Sequence, residues 1–333
     1  MNPKVSVIIP TYNRAATVGI AIESALNQTF RDLEVIVVDD GSSDDTGDVL
    51  PVTYGDRIRY FAQQNQGASA ARNKGLAEAR GEWIALLDSD DFWEKDKLER
   101  QFEALEQFPQ CGASYTDVRF LNYPEPRSMF QLAEESYRHE GTTGINTNAQ
   151  SVLLNPGGGG MVICTCAFLA RADLIAKSGG FDTNLRVGED SEFMFRVALL
   201  TDFCYVNLPL VWVDRSPAEV RHVGVTSEWN TREFWLRETQ LRFETILQMG
   251  DVVPLQIREL IREQLAAVQS GWANWYLETE QYAKAREAAL KAAQLDLKPN
   301  LAAKFLLTWI SPRLALRAVQ HQQQKKKDLE PFL

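Results

Sequence analysis

Residues 34–46 read EVIVVDDGSSDDT. Four consecutive β-branched residues, Val35 to Val38, stop at two carboxylates, Asp39 and Asp40, followed by Gly41 and short polar residues. An uninterrupted β-branched run bounded by turn residues is the pattern of a strand buried on both faces. Such strands belong to parallel sheets covered by helices. Asp44 and Asp45 suit a helix start, where carboxylates accept from unpaired N–H groups. The stretch therefore predicts a strand, a tight turn and a helix, with acids delivered to the carboxyl end of the strand.

The same alternation runs through the first hundred residues. Strands are predicted at Val5–Ile9, Leu33–Asp39, Ile58–Ala62 and Trp83–Leu87, with helices near Ala16–Gln28, Asp45–Leu50, Ala68–Ala79 and Lys95–Gln107. Right-handed crossovers would place helices on both faces and all four strand ends on one edge. The expected fold is α/β, a doubly wound, Rossmann-like, mostly parallel sheet. After Ser114 the pattern loosens, and Tyr123 to Gly160 holds prolines and NPGGGG. Regularity returns with the strand-like MVICTCAFL, a helix near Asp173–Ser178, the turn GGFD and a helix near Asp190–Leu200. From Glu228 the chain reads helical almost throughout. EQYAKAREAALKAAQLDLKPN has the spacing of one tetratricopeptide-like helix without a repeated unit.

Composition narrows the function. The chain has 333 residues, 45% hydrophobic and 24% charged, which suits a globular protein rather than a disordered one. Its net charge of −10 argues against nucleic-acid binding. The four cysteines, Cys111, Cys164, Cys166 and Cys204, contain no CxxC and are expected in the core. The apolar run Val5–Ile9 is closed at once by Pro10, too brief for a signal-peptide core, so a cytoplasmic protein is expected. Charge is uneven: Lys298 to Lys327 holds five Lys, two Arg and no acid, or +7, against −15 for residues 1–297.

Four constellations carry chemistry. IIPTYNR, residues 8–14, ends a buried strand in small polar groups, where open sheets grip ligands, although a plain strand-to-helix turn would look the same. Asp40 ends the second strand and can accept hydrogen bonds from a base or a ribose. No GxGxxG follows the first strand and no GxxxxGK[ST] occurs, so dinucleotide and P-loop readings lose their support. The third is GASAARNKGLAEARGEWIALLDSDD, in which Arg72 precedes an apolar strand ending in Asp88, Asp90 and Asp91. Two acids one residue apart can share a divalent cation with phosphate oxygens, whereas Asp90 or Asp91 could also serve only as a helix cap. The fourth is GGFDTNLRVGEDSEFMFRVAL, where Glu189 and Asp190 open a helix and could be a general base or mere dipole compensation. His222 in RHVGVTS is one of three histidines.

Taken together, VSVIIPTYNR, SALNQTF, EVIVVDDGSSDDT, GASAARNKGLAEARGEWIALLDSDD and CAFLARADLIAKSGGFDTNLRVGEDSEFMFRVA resemble the inverting GT-A glycosyltransferases of the second sequence family. The resemblance covers about residues 4–227, weakly between Phe120 and Gly160. It implies a GT-A catalytic domain over 1–227, with a nucleotide-sugar-binding half at 1–115 and an acceptor half at 116–227, then a helical C-terminal extension over 228–333. It also implies residue roles. Pro10, Thr11, Tyr12 and Asn13 would line the nucleotide pocket with Ser89, Asp40 would bind the base, and Arg72 would contact base or diphosphate. Asp88 and Asp90 match the DxD pair, Asp90 on Mn2+ or Mg2+ and Asp88 on ribose or metal. Asp190 would be the catalytic base with Glu189 beside it, and His222 a metal or phosphate ligand. The implied reaction moves a sugar from a nucleotide-diphosphate donor, UDP-linked in the first instance, to a glycan or lipid-linked acceptor in polysaccharide biosynthesis.

Two rival functions compete with that reading. A phosphohydrolase would use Asp88 as nucleophile, but its DxDxT pattern wants Thr where Phe92 stands. A binding module on the same scaffold would not need the acids intact. For the basic tail, contact with an anionic membrane at the cytoplasmic face competes with simple helix packing. Phe305, Leu306, Trp309 and Ile310 lie there among Lys304, Arg313 and Arg317.

Overall fold

The computed structural model describes residues 2–121, 128–132, 139–154, 163–214, 231–296 and 298–329. The chain divides into two compact units, Met1–Ser227 and Glu228–Leu333.

The first unit is built on one mixed sheet. Strands β1 (Val5–Thr11), β2 (Leu33–Asp39), β3 (Arg59–Ala62) and β4 (Trp83–Leu86) are parallel, in the order β3-β2-β1-β4. Helices α1 (Val18–Leu26), α2 (Thr46–Tyr54) and α3 (Ala68–Glu78) make the crossovers. Every residue of β1 is buried, as the unbroken apolar run requires. Helix α3 lies close against β1 because of Gly75: a Cβ there would fall 2.4 Å from Ile8 Cγ2. Arg72 sits one turn earlier on the same buried face, so the close approach also sets the position of that side chain.

Beyond β4 come β5 (Phe92–Trp93), α4 (Lys97–Gln107), β6 (Cys111–Leu121), α5 (Met129–Leu132), β7 (Thr143–Asn146) and α6 (Ala149–Leu154). Then follow β8 (Phe168–Arg171), α7 (Ala172–Ser178), α8 (Glu189–Ala198) and β9 (Asp202–Asp214). The sheet continues β4-β8-β6-β9-β5, with β7 also on β9. Strand β8 is antiparallel to both neighbours, while β6 and β9 run parallel.

Two strands correct the expectation of loosened structure after Ser114. β6 extends to Leu121 and β9 spans thirteen residues. The apolar signal of β6 is broken by Ser114, Thr116 and Asp117, all buried. Asp117 stays satisfied because its Oδ1 accepts from the N–H of Val118 at 2.7 Å and of Phe130 at 2.9 Å. MVICTCAFL also differs from expectation: Thr165–Ala167 form a 3-10 turn and the strand begins at Phe168, while Met161 and Val162 lie outside the described residues. Cys111, Cys166 and Cys204 are buried, Cys164 is half-buried, and all four are free thiols.

The second unit is helical: α9 (Arg232–Gln248), α10 (Leu255–Glu278), α11 (Tyr282–Leu295), α12 (Pro299–Ile310) and α13 (Pro312–Leu329). Its core is an alanine seam in which Ala273, Ala288 and Ala289 meet Trp272, Tyr276 and Phe305. Leu277 and Ala285 pack against Ala315 and Val319. Among the described residues no helix is long and apolar enough to cross a membrane.

Candidate functional site

Parallel pairing brings the carboxyl ends of β1, β2 and β4 to one edge, with Thr11 level with Asp39 and Ile8 level with Leu86. Backbone bonds extend both ladders by one residue, Asp40 N to Thr11 O at 2.9 Å and Leu87 N to Ile8 O at 3.0 Å. The residues that follow, Tyr12, Asp40 and Asp88, therefore leave the sheet at the same edge for a reason of register.

At the end of β1, Pro10 and Thr11 are buried. Thr11 Oγ1 is enclosed and has no hydrogen-bond partner among the described residues. A buried hydroxyl without a partner is costly unless a ligand completes it. Tyr12 is 47% exposed, unusual for an aromatic ring at a strand end. Asn13 has φ +51° and its Oδ1 accepts from Ser43 N at 2.7 Å, while its own N–H donates to Ser42 Oγ at 2.9 Å. Asn13 thus splices the loop after β1 to the loop after β2.

Asp40 is buried and heavily used. Its Oδ1 accepts from Gln63 Nε2 at 2.7 Å and Gln66 N at 3.0 Å, and its Oδ2 from Gly67 N at 2.7 Å. The side chain organises the loop leading into α3. The turn beside it needs Gly41, whose φ is +76° and where a Cβ would meet Asn65 N at 2.8 Å.

The acids after β4 differ sharply in surroundings. Asp88 and Asp90 have side chains 31% and 32% exposed, with Ser89 buried between them. Asp91 is buried, and burial, then Asp88 and Asp90, push its carboxyl well above the usual range. Its Oδ1 accepts from Asp214 N at 3.3 Å. This overturns the helix-cap alternative: α4 starts only at Lys97, with Asp96 at its N-cap. Phe92 stacks on Trp212 at 5.9 Å and pairs with it across β5 and β9, anchoring the acidic loop.

Arg72 joins this loop to α8. Its Nη2 donates to Asp88 Oδ1 at 2.8 Å and its Nη1 to Glu189 Oε1 at 2.9 Å, with the guanidinium 5.2 Å from the Phe181 ring. Burial alone would ease its proton off; Asp88 and Glu189 outweigh it and hold the charge more firmly than usual. Two of its nitrogens thus meet carboxylates from opposite sides of the site. Glu189 is pushed up to about 7 by burial and then by Asp190, against the pull of Arg72.

Among the described residues, Asp190 accepts one hydrogen bond on each oxygen. Thr165 Oγ1 donates to Oδ2 at 3.2 Å, and the N–H of Ser191 donates to Oδ1 at 2.6 Å. The turn that presents Thr165 is pinned from two sides. Trp93 Nε1 donates to Cys166 O at 2.7 Å and Gln101 Nε2 to Ala167 O at 3.1 Å. Thr165 was not a sequence candidate, since nothing in its local spacing singles it out. Arg14 was also missed as a site residue, although it closes PTYNR; its Nη2 reaches Asp90 Oδ2 at 3.5 Å. His222 lies outside the described residues.

Asp88 and Asp90 are hard oxygen donors at an open edge, with cationic nitrogens nearby. That set fits Mn2+ or Mg2+ held by one or two carboxylates, with phosphate oxygens and water completing the shell. Among the described residues no three His, Cys, Asp or Glu side chains close around a metal, so no all-protein cage is formed there.

Comparison with known proteins agrees with this geometry. The putative teichuronic acid biosynthesis glycosyltransferase TuaG of Bacillus subtilis is 43% identical over 142 residues, covering 41% of this chain and 56% of TuaG. The chain spans only 15% to 58% of the length of several such curated relatives. The crystal structure of S. aureus TarS 1-349 in complex with UDP-GlcNAc superposes with a TM-score of 0.69 at 19% identity, covering 97% of this chain and 92% of that one. The mannosyltransferase PcManGT from Pyrobaculum calidifontis, in complex with GDP-Man and Mn2+, gives a TM-score of 0.55 at 19% identity, covering 98% and 88%. At those identities the likeness shows the fold, which is that of GT-A glycosyltransferases. The profile of glycosyl transferase family 2 matches residues 6–173, half of the chain; the chain belongs to that family.

Proposed function

We propose that the protein is an inverting glycosyltransferase that moves a sugar from a nucleotide-diphosphate donor, a UDP-sugar first of all, to a hydroxyl of a glycan or lipid-linked glycan. The observation that carries this reading is the bridge made by Arg72, which holds the acidic end of β4 and the Glu189–Asp190 start of α8 in one place. A donor-side acid pair beside a second, separately held carboxylate is what a single displacement at an anomeric carbon needs. TarS, with its UDP-GlcNAc, supports a uridine donor by likeness of fold alone.

In this reading Thr11 Oγ1 and Tyr12 meet the nucleotide, with Pro10, Asn13 and Ser89 shaping the pocket and Asp40 setting the base end through the loop it organises. Asp88 and Asp90, with His222 as a further ligand, would hold Mn2+ or Mg2+, which when bound offsets charge on the departing diphosphate. Asp190 takes the proton from the acceptor hydroxyl as it attacks. The hydrogen bonds from Thr165 and Ser191 fix its aim. Arg72 acts by position, keeping Asp88 and Glu189 in register.

The test is release of UDP from UDP-sugars with Mn2+ present, for wild type and Asp190→Asn. The variant is expected to keep the thermal shift caused by UDP while losing turnover about 1000-fold, the span of a general base. Wild-type turnover in Asp190→Asn, with turnover lost in Asp88→Asn, would instead assign the chemistry to a nucleophilic Asp88.

A further inference from the structure

Helix α12 is built inside out. Its inward positions include Thr308, fully enclosed, and the half-buried Lys304, whose Nζ donates to Ser270 O at 3.0 Å and to Ser270 Oγ. Its solvent face carries Leu306, Trp309 and Ile310, which are 55%, 54% and 81% exposed. The spacing i, i+3, i+4 puts these three on one stripe. Leu314, at the start of α13, is 52% exposed and extends the apolar face past the Pro312 corner. Phe305 turns inward onto Trp272 and Tyr276, and Leu307 onto the cluster of Leu277, Ala285, Ala315 and Val319. Arg286 lies over the Trp309 ring at 5.4 Å, which leaves the rest of that ring exposed. Exposed single apolar residues are ordinary, but three large ones on one helix stripe, with a fourth at the start of the next helix, are a surface awaiting a partner.

Charge says what kind of partner. Arg313 and Arg317 are exposed beside the stripe, and the sequence from Lys298 to Lys327 holds seven basic residues and no acid in a chain of net charge −10. A self-contact through this corner would set two basic segments against each other. An apolar stripe with a Trp, flanked by Arg and Lys, matches the interface of an anionic bilayer, where apolar side chains enter the headgroup boundary and basic ones stay at its surface. We propose that the Leu306–Trp309–Ile310–Leu314 face docks this protein on anionic lipid membranes as a peripheral contact. This stands apart from the catalytic reading and does not depend on it.

The experiment is co-sedimentation of the full chain with vesicles of phosphatidylcholine, pure or mixed with phosphatidylglycerol. Wild type is expected to partition onto the mixed vesicles at least about tenfold better than onto the neutral ones, and less well as salt rises. Leu306→Ser with Ile310→Ser should abolish binding, and Arg313→Gln with Arg317→Gln should weaken it by about thirtyfold, about fivefold for each charge. Both variants should keep the wild-type unfolding midpoint, because the substituted side chains lie in solvent. The proposal is overturned if wild type stays in the supernatant with both vesicles, or if the serine variant binds as well as wild type. It is equally overturned if that variant's only change is a fall in mass by light scattering, which would give the face to a second copy.

Discussion

Arg72 and Glu189 stand 117 positions apart and meet at 2.9 Å, on a guanidinium that also holds Asp88 at 2.8 Å. The fork geometry matters because a lysine ammonium is a point charge and cannot span two carboxylates in one plane. Arg72→Met leaves Glu189, only 15% exposed, without its cation. Breaking a buried pair from one side costs about 3 kcal/mol, which should appear as a lower urea midpoint. Arg72→Lys should recover part of that stability but not wild-type turnover, because one of the two carboxylates is released. Full activity in Arg72→Lys would show that the bridge positions nothing.

The hydroxyl of Thr165 is a second such device. It donates to Asp190 Oδ2 and so holds the aim of that carboxylate. Thr165→Val keeps the shape and removes the donor, so the carboxylate can swing away from its aim. The kcat is expected to fall by about tenfold, the worth of one hydrogen bond to a charged group, with the donor KM unchanged. Thr165→Ser should restore kcat. A variant with a lower unfolding temperature and an unchanged kcat would mean that Thr165 serves packing alone.

Lys97 makes the stability of this fold depend on pH. It is fully buried over the Trp93 ring at 3.8 Å, its Nζ has no hydrogen-bond partner among the described residues, and burial pushes it down to about 7 from 10.5. Between those values the unfolded chain binds more protons than the folded one, so stability rises with pH through that window. Below pH 7 both states carry the charge and the full desolvation cost applies. Lys97→Met should therefore be more stable than wild type at pH 6, by on the order of 2 kcal/mol once the lost cation–π contact is allowed for. The gap should narrow by pH 9. Equal differences in urea stability at the two pH values would contradict the buried ammonium.

What the amino-acid sequence discloses of this site depends on how far each residue's partner lies along the chain. Val35–Val38 and Ile84–Leu87 could be read as strands because burial on both faces leaves a continuous apolar run. The same runs placed Asp40 and Asp88 on one edge. β6 escaped because Ser114, Thr116 and Asp117 are as buried as their apolar neighbours, so hydrophobicity alone could not mark it. Glu189 and Asp190 were legible as acids at a helix start, yet their link to Arg72 exists only once the sheet closes the distance. Arg14 reaches Asp90 across 76 positions and Thr165 reaches Asp190 across 25, and neither pairing leaves a periodic trace.

Gly75 offers the sharpest test of how the fold sets the site. An added Cβ would lie 2.4 Å from Cγ2 of Ile8, a fully buried residue of the central strand. In an exposed helix Gly→Ala stabilises by up to about 1 kcal/mol, so propensity and packing here predict opposite signs. Packing should win: forcing a methyl into a closed contact costs about 1–3 kcal/mol, and the strand has no free side to retreat to. Because Arg72 lies one turn away on the same face, the displaced helix should also raise the donor KM. Ile8→Ala removes the atom in conflict, so Gly75→Ala should cost much less in that background. A double-mutant cycle read by urea denaturation should give a coupling above about 1 kcal/mol. Additive costs would mean that α3 is not held against β1 by this contact.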